Sequence, residues 1–287
     1  MKLRAFAKVN LGLDVVRKLE NGYHDLHSVF VPIALHDQIL IYPSDEMMFK
    51  CHPDYRIAPE KNTCLKMVEV CRTQFNFTQN FSITLYKNIP SQAGLGGGSA
   101  DAAALLNYLD RFFKWHLNPQ AKIELALKVG ADVPFCLFNA PAVVTGIGDH
   151  LEFFEFEPNF GIVLVQPKKG VSTQKAFEGL DIPNLIHPNI PRIKEALMEE
   201  DYTTLIMSLG NSLQAKACVL VPEIETIQQK LLDLGCDKVV MTGSGSVVMG
   251  FSQSDEVLES CVKAFKSKVR FVRKTKVMRR ADLNLLK

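Results

Sequence analysis

The sequence predicts an α+β protein in two lobes. Three observations carry that expectation. Segments of period two, which mark strands, and segments of helical spacing, which mark helices, both recur along the chain. A glycine-rich loop joins an alternating strand to a run of strong helix formers. At 287 residues the chain also exceeds the usual span of one hydrophobic core. Two lobes around a cleft are therefore expected, with the boundary near Pro158, that is residues 1–157 and 158–287.

Composition narrows the function classes. Hydrophobic residues make up 47% and charged residues 22%, ordinary for a soluble globular protein. A net charge of +2 and a pI near 8.1 favour neither a nucleic-acid partner nor a membrane surface. No apolar segment approaches the roughly 20 residues of a membrane span, and Met1-Lys2-Leu3-Arg4 opens no signal-peptide core. The seven cysteines are odd in number, widely spaced and without a Cys-x-x-Cys, so neither a zinc site nor a disulfide framework is expected. A reducing cytoplasm fits that usage.

Taken in order, residues 7–15 alternate cleanly, with Ala7, Val9, Leu11, Leu13 and Val15 on one face and Lys8, Asn10, Gly12 and Asp14 on the other. This is a half-buried strand whose second face is either solvated or reserved for chemistry by Lys8 and Asn10. A turn, Glu20-Asn21-Gly22, follows and delivers Tyr23 and His24. Residues 28–41 read as strands around a Leu35-His36-Asp37 corner, and Glu60-Lys61-Asn62-Thr63 opens a helix with Cys64, Val68, Cys71 and Phe75 at helical spacing. Residues 81–87 form an alternating strand. A helix over 102–109 and another over 123–129 follow, the second closed by Gly130 as a C-cap. Next comes Asp132, a carboxylate in an apolar neighbourhood, which is either the N-cap of the following segment or a buried acid paired with a lysine at a reaction centre. Residues 143–156 resemble a hairpin, and Ile162-Val163-Leu164-Val165 a strand buried on both faces. Helices are expected after Gly170-Val171-Ser172-Thr173 and around 193–199, 202–209 and 223–234. Residues 239–251 read as strand, Gly/Ser turn, strand. The basic run 263–280 reads as an exposed edge strand.

Pro90-Ser91-Gln92-Ala93-Gly94-Leu95-Gly96-Gly97-Gly98-Ser99-Ala100 is the stretch around which the chain is organised. Glycines packed this densely contribute little core, and Ser99 is the expected N-cap of the helix behind them. A flexible loop feeding a helix N-terminus offers unpaired backbone N–H groups beside the positive end of the helix dipole, which makes an anion site suited to phosphate. It is not a P-loop, because no lysine follows Gly98, and Ser99 stands where a dinucleotide fingerprint needs glycine or alanine. The turn Thr242-Gly243-Ser244-Gly245-Ser246 offers N–H groups and hydroxyls of the same kind.

Lys8-Val9-Asn10-Leu11, the loop from Gly94 to Ser99 and the Thr242–Ser246 turn, in that order, resemble the three motifs of the GHMP kinases. Gly22-Tyr23-His24, Gly130-Ala131-Asp132-Val133-Pro134-Phe135 and Gly170-Val171-Ser172-Thr173 make the chain most similar to members acting on a cytidyl diphosphate in non-mevalonate isoprenoid synthesis. The resemblance runs nearly end to end. It implies a two-layer α/β fold in two lobes with the site in the cleft between them, Lys8 and Asp132 as catalytic residues, and ATP held by residues 90–100. It further implies Mg²⁺, with the Ser99 hydroxyl a candidate ligand, and a small-molecule substrate held by Asn10, Tyr23, His24 and Phe177. A monomer or weak homodimer is expected. The chain departs from the family at Ala100, where a second serine is frequent, at Phe177, where tyrosine is common, and at Asn211-Ser212-Leu213-Gln214, which replaces a more acidic pattern. A homoserine- or mevalonate-type kinase, or a non-catalytic nucleotide-binding regulator of the same fold, are the alternatives.

Overall fold

The structure, a computed structural model, describes residues 1–54 and 57–279. Two long strands open the chain, β1 (Lys2–Lys18) and β2 (His24–Ser44). Next come β3 (Met48–His52), α1 (Thr63–Phe75), β4 (Asn80–Tyr86), α2 (Gly97–Phe113), α3 (Pro119–Leu127) and α4 (Val133–Phe138). They are followed by β5 (Ala142–Gly146), β6 (His150–Phe153), β7 (Gly161–Gln166), α5 (Thr173–Phe177), α6 (Ile190–Met198), α7 (Tyr202–Ser208) and β8 (Gly210–Asn211). The chain closes with α8 (Gln214–Leu220), α9 (Glu223–Asp233), β9 (Lys238–Met241), β10 (Val248–Ser252), α10 (Asp255–Phe265) and β11 (Phe271–Thr275). Contacts group these into two compact units, one of Met1–Lys8, Leu35–Ile89 and Gly96–Asn139, the other of Val9–Ala34, Pro90–Leu95 and Ala140–Lys287.

In the first unit, β4 pairs antiparallel with the second half of β2 and parallel with β3. Asn62 caps α1 by accepting from the N–H groups of Cys64 and Leu65, and Cys64, Val68 and Cys71 are buried as their spacing predicts. Phe81, fully buried on β4, meets Tyr108, Phe112 and Phe113 edge-on and so locks α2 against the sheet. In the second unit, β11, β7, β10 and β9 form an antiparallel sheet in that order. Its core joins Val163, Val165 and Val248 to Ile224, Ile227 and Leu231 of α9 and Leu258, Cys261 and Phe265 of α10. The same unit pairs β2 with β5, β5 with β6, and β1 with β8.

Several expectations are corrected. The corner at residues 35–37 does not exist: β2 runs unbroken for 21 residues, because Asp37 turns inward, is fully buried and accepts from the N–H groups of Asn88 and Ile89. Helix α2 starts earlier than residue 102 and its N-cap is Gly96, not Ser99, since the left-handed φ of +66° at Gly96 reverses the chain there. Gly130 is not the C-cap; α3 ends at Leu127 with Lys128 as its C-cap, and the Gly130 N–H continues to the Ala126 carbonyl at 3.1 Å. The glycine loop does contribute core, through Ile89, Ala93, Leu95 and Ala100, all at most 3% exposed. Of the basic run, Lys263 lies in the last turn of α10 and, among the described residues, only Phe271–Thr275 is an edge strand, while Arg280 lies outside the described residues. Helices α8 and α10 were not expected. All seven cysteines are free thiols.

Candidate active site

Strand β1 is buried on both faces from Ala5 to Leu13, so Lys8 and Asn10 do not look into solvent; they are 3% and 2% exposed. Such an ammonium needs a partner. It has one in Asp132 Oδ2, 3.2 Å away. Asp132 occupies the N-cap position of α4 but makes no capping hydrogen bond with its side chain. The carboxylate is turned to Lys8 instead, and its side chain is 37% exposed against 4% for Lys8. The two readings of Asp132 are thus separated: the position is a cap, the side chain is not.

Gly96 lies against the same lysine. A Cβ built there would stand 3.0 Å from Lys8 Cγ, so glycine lets the backbone lie on the aliphatic stem. The first intrahelical hydrogen bond of α2 runs from the Ala100 N–H to the Gly96 carbonyl at 2.8 Å. The amides of Gly97, Gly98 and Ser99 precede it and are the free donors of a 17-residue helix. Thr63 Oγ1 donates to the Gly98 carbonyl at 2.8 Å and fixes the turn from outside.

Beneath this turn lies a cluster the sequence reading missed. Lys87 Nζ sits 2.8 Å from Asp101 Oδ2 and also bonds Asp37 Oδ2, with both carboxylates buried. A Cβ on Gly97 would stand 3.1 Å from that Nζ. Burial would lower the Lys87 pKa, but the paired carboxylates outweigh it and hold it above the ordinary value. Asp101 is pushed up by its burial and by Asp37, against the pull of Lys87. The two rises look opposed, yet they are compatible: Lys87 answers to two carboxylates, while Asp101 answers first to its burial and then to a cluster in which two carboxylates share one ammonium and leave one negative charge in surplus. Asp101 Oδ1, buried with no hydrogen-bond partner, fits a carboxyl that resists ionisation.

In the second unit the front of the glycine loop meets the Thr242–Ser246 turn. The N–H groups of Ser246 and Val247 donate to the Gln92 and Ala93 carbonyls at 3.3 Å, and Gln166 Nε2 donates to the Ser91 carbonyl at 2.9 Å. Asn10 is tied into the same unit: its N–H donates to Thr242 Oγ1 at 2.9 Å and its Nδ2 to Ser28 Oγ at 3.0 Å. Asn211 Nδ2 donates to the carbonyls of Met241 and Gly243 at 2.7 and 2.9 Å, bonds that an acid could not make. His24 packs its ring on Phe177 with centroids 5.0 Å apart and planes at 33°. Tyr23, one residue earlier, is 59% exposed. Burial, and to a lesser degree the charge of Lys18, lowers the His24 pKa. Lys8, Asp132 and Gly96 are therefore brought together in one unit, and Asn10 with Thr242 and His24 with Phe177 in the other.

Known proteins bear on this arrangement. Residues 62–140 match the GHMP kinases N terminal domain and residues 182–270 the GHMP kinases C terminal domain. A 4-diphosphocytidyl-2-C-methyl-D-erythritol kinase of Bacillus pumilus is 34% identical over 258 residues, 89% of either chain. The chain belongs to this kinase family. The Bacillus subtilis kinase of the same name is 32% identical over 258 residues, again 89% of each chain. A crystal structure of 4-(cytidine 5'-diphospho)-2C-methyl-D-erythritol kinase superimposes with a TM-score of 0.80 at 28% identity, covering 97% of this chain and 100% of that one. The homoserine kinase of Cytophaga hutchinsonii shares the fold, with a TM-score of 0.75 at 18% identity over 96% of this chain and 95% of its own. The fold is that of the GHMP kinases, and this family member is a small-molecule kinase that uses ATP as co-substrate. Among the described residues no helix is long and apolar enough to cross a membrane.

Proposed function

We propose that this chain transfers the γ-phosphoryl group of ATP to the 2-hydroxyl of 4-diphosphocytidyl-2-C-methyl-D-erythritol. The observation that carries the chemistry is the ion pair of Lys8 with an Asp132 whose carboxylate is free of its capping duty. Phosphoryl transfer asks for positioning and charge neutralisation more than covalent help. Asp132 takes or orients the proton of the substrate hydroxyl, and Lys8 offsets the charge that shifts during transfer. Residues 90–100 hold the nucleotide phosphates, chiefly through the free amides of Gly97, Gly98 and Ser99.

Magnesium fits this donor set. Among the described residues no three His, Cys, Asp or Glu side chains form a cage, and Mg²⁺ is ordinarily held by phosphate oxygens and water with one or two protein ligands. The Ser99 hydroxyl would be such a ligand, and the ion would neutralise phosphate charge. On the substrate side stand Asn10, Tyr23, His24 and Phe177. An aromatic face at Phe177 and a ring nitrogen at His24 suit cytosine, which has apolar faces and a polar edge. The lobe boundary proposed near Pro158 is supported by the family matches, one of which lies within residues 1–157 and the other within 158–287, although by contacts Val9–Ala34 and Pro90–Leu95 group with the later residues. The enzyme is a cytoplasmic monomer or weak homodimer without a nucleic-acid or membrane partner, in keeping with its near-balanced charge.

ATP consumption measured with the cytidyl diphosphate substrate, homoserine, mevalonate and galactose tests the reading. Turnover with the cytidyl compound alone is expected; turnover with one of the others instead would replace it with a sibling activity, and turnover with none would favour a nucleotide-binding regulator.

A further inference from the structure

His187 is held at both ends of its ring. Nδ1 lies 2.6 Å from Asp14 Oδ1 on β1, and Nε2 lies 3.0 Å from the Ile182 carbonyl oxygen. A carboxylate oxygen and a carbonyl oxygen both accept, so each contact needs an N–H from the ring. Neutral imidazole has one N–H and imidazolium two. The ring that satisfies both contacts is therefore the imidazolium. Asp14 is itself fixed, with the Ser212 hydroxyl 2.9 Å from its Oδ1 and 2.8 Å from the Ile186 carbonyl.

The segment so held, residues 178–187, follows directly on Phe177 at the end of α5. Leu180, Ile182 and Leu185 rest on the second unit's core, which includes Leu13 and Val15 of β1. These apolar anchors secure its underside, and two polar ties hold its far end to β1: the direct one of His187, and the Ser212 hydroxyl that lies between the Ile186 carbonyl and Asp14. We propose that doubly protonated His187 is a positioning residue for the substrate side: by bridging Asp14 and the Ile182 carbonyl it latches residues 178–187 and so fixes Phe177 beside His24. This rests on the assignment of Phe177 to the cytidyl substrate. Loss of one ring proton to solvent leaves one of the two contacts unmade and loosens the latch.

The direction in pH follows. The Asp14 hydrogen bond raises the His187 pKa above the ordinary 6.5, slight burial opposes it, and the Ile182 carbonyl adds to the rise. Among the described residues Asp14 is the titratable group that acts on this ring. A raised pKa in the folded state means that the latch is fully made below 6.5 and is lost as pH rises through the raised value.

The test has three arms on the full chain. In the parent, the NMR titration midpoint of His187 is expected above 6.5; a midpoint at or below 6.5 overturns the proposal. Amide exchange of Asn184 and Leu185, whose N–H groups bond the Asp181 and Ile182 carbonyls, is compared with an unstructured reference. Protection at pH 6 should exceed that at pH 9 in the parent and be reduced already at pH 6 in His187→Gln; equal protection in parent and variant at pH 6 overturns it. Finally, KM for the cytidyl substrate should be about threefold to tenfold higher in His187→Gln at pH 6, the scale of one charge-assisted hydrogen bond partly transmitted, and the two should converge at pH 9. Unchanged kcat and ATP KM are expected in the variant, and a fall in kcat with KM unchanged overturns the positioning role. Should the chain not turn over the cytidyl compound at all, the functional reading fails while the first two arms still decide the latch.

Discussion

Gly94 and Gly243 touch backbone to backbone although they stand 149 positions apart in the chain. A Cβ on Gly94 would stand 2.3 Å from the Thr242 carbonyl oxygen, and one on Gly243 would stand 2.8 Å from the Gly94 carbonyl oxygen. Both residues also have positive φ, +74° and +57°. Gly94→Ala should therefore both strain its own backbone and push the Thr242–Ser246 turn away, at a cost of more than about 2 kcal/mol. Urea unfolding together with nucleotide titration checks this; parent-like stability and ATP affinity would show that the contact can relax.

Asp132→Asn and Lys8→Met should each lower kcat by on the order of 10²-fold or more, with ATP affinity little changed. The Asn variant keeps the shape and loses the charge facing Lys8. Near-normal kcat in Asp132→Asn would leave transfer by positioning alone.

Lys87→Met should destabilise the first unit by about 3–5 kcal/mol, because it strands two buried carboxylates. Asp101→Asn removes the surplus charge and is expected to cost far less, about 1 kcal/mol or below. Chemical denaturation of both variants separates them, and an equal loss in the two would refute the shared-ammonium account.

His24 titrates below its ordinary value of 6.5 because burial disfavours its charged form. A neutral ring offers cytosine one donor and one acceptor; protonation removes the acceptor. A depressed pKa places the loss on the acid side: KM for the cytidyl substrate should be insensitive to this group above 6.5 and rise as pH falls through the lowered value. His24→Ala should abolish that acid limb and weaken discrimination between cytosine and uracil substrates, while Phe177→Ala should cost roughly 1–3 kcal/mol of substrate binding. KM profiles over pH 5–8 read out the first claim, and an acid limb that persists in His24→Ala would remove His24 from the ring edge.

How much of this could be read beforehand depends on the range over which each signal acts. The alternation of Ala7, Val9, Leu11 and Leu13 announced β1, but not that its second face is also buried, because the cover comes from residues far along the chain. Asp132 was legible as a choice between two roles, and only the 3.2 Å contact with Lys8 decided it. Lys87, Asp37 and Asp101 were invisible for the same reason: each reads alone as a surface charge, and their meaning arises when three elements meet. The omission of α10 was of another kind. Ser254 followed by Asp255 and Glu256 is a local N-terminal signal, and Leu258, Cys261 and Phe265 have helical spacing. The basic residues that follow, Lys266 to Lys276, carry an edge-strand pattern that overlaps its end.

The interleaving of the two compact units has a bearing on how the protein is made. The second unit includes Val9–Ala34, and although Leu26–Phe30 pairs with Ala142–Gly146, other partners of that stretch lie far along the chain: Gly12 and Leu13 pair with Gly210 and Asn211, and Ile33 bridges to Val277. The first unit contains nothing beyond Asn139. On the ribosome, then, the first unit can close while the second half of the message is still being read. Val9–Ala34 meanwhile holds an apolar surface that is fully covered only after residues 210–277 are made, an interval in which a nascent chain depends on its chaperones.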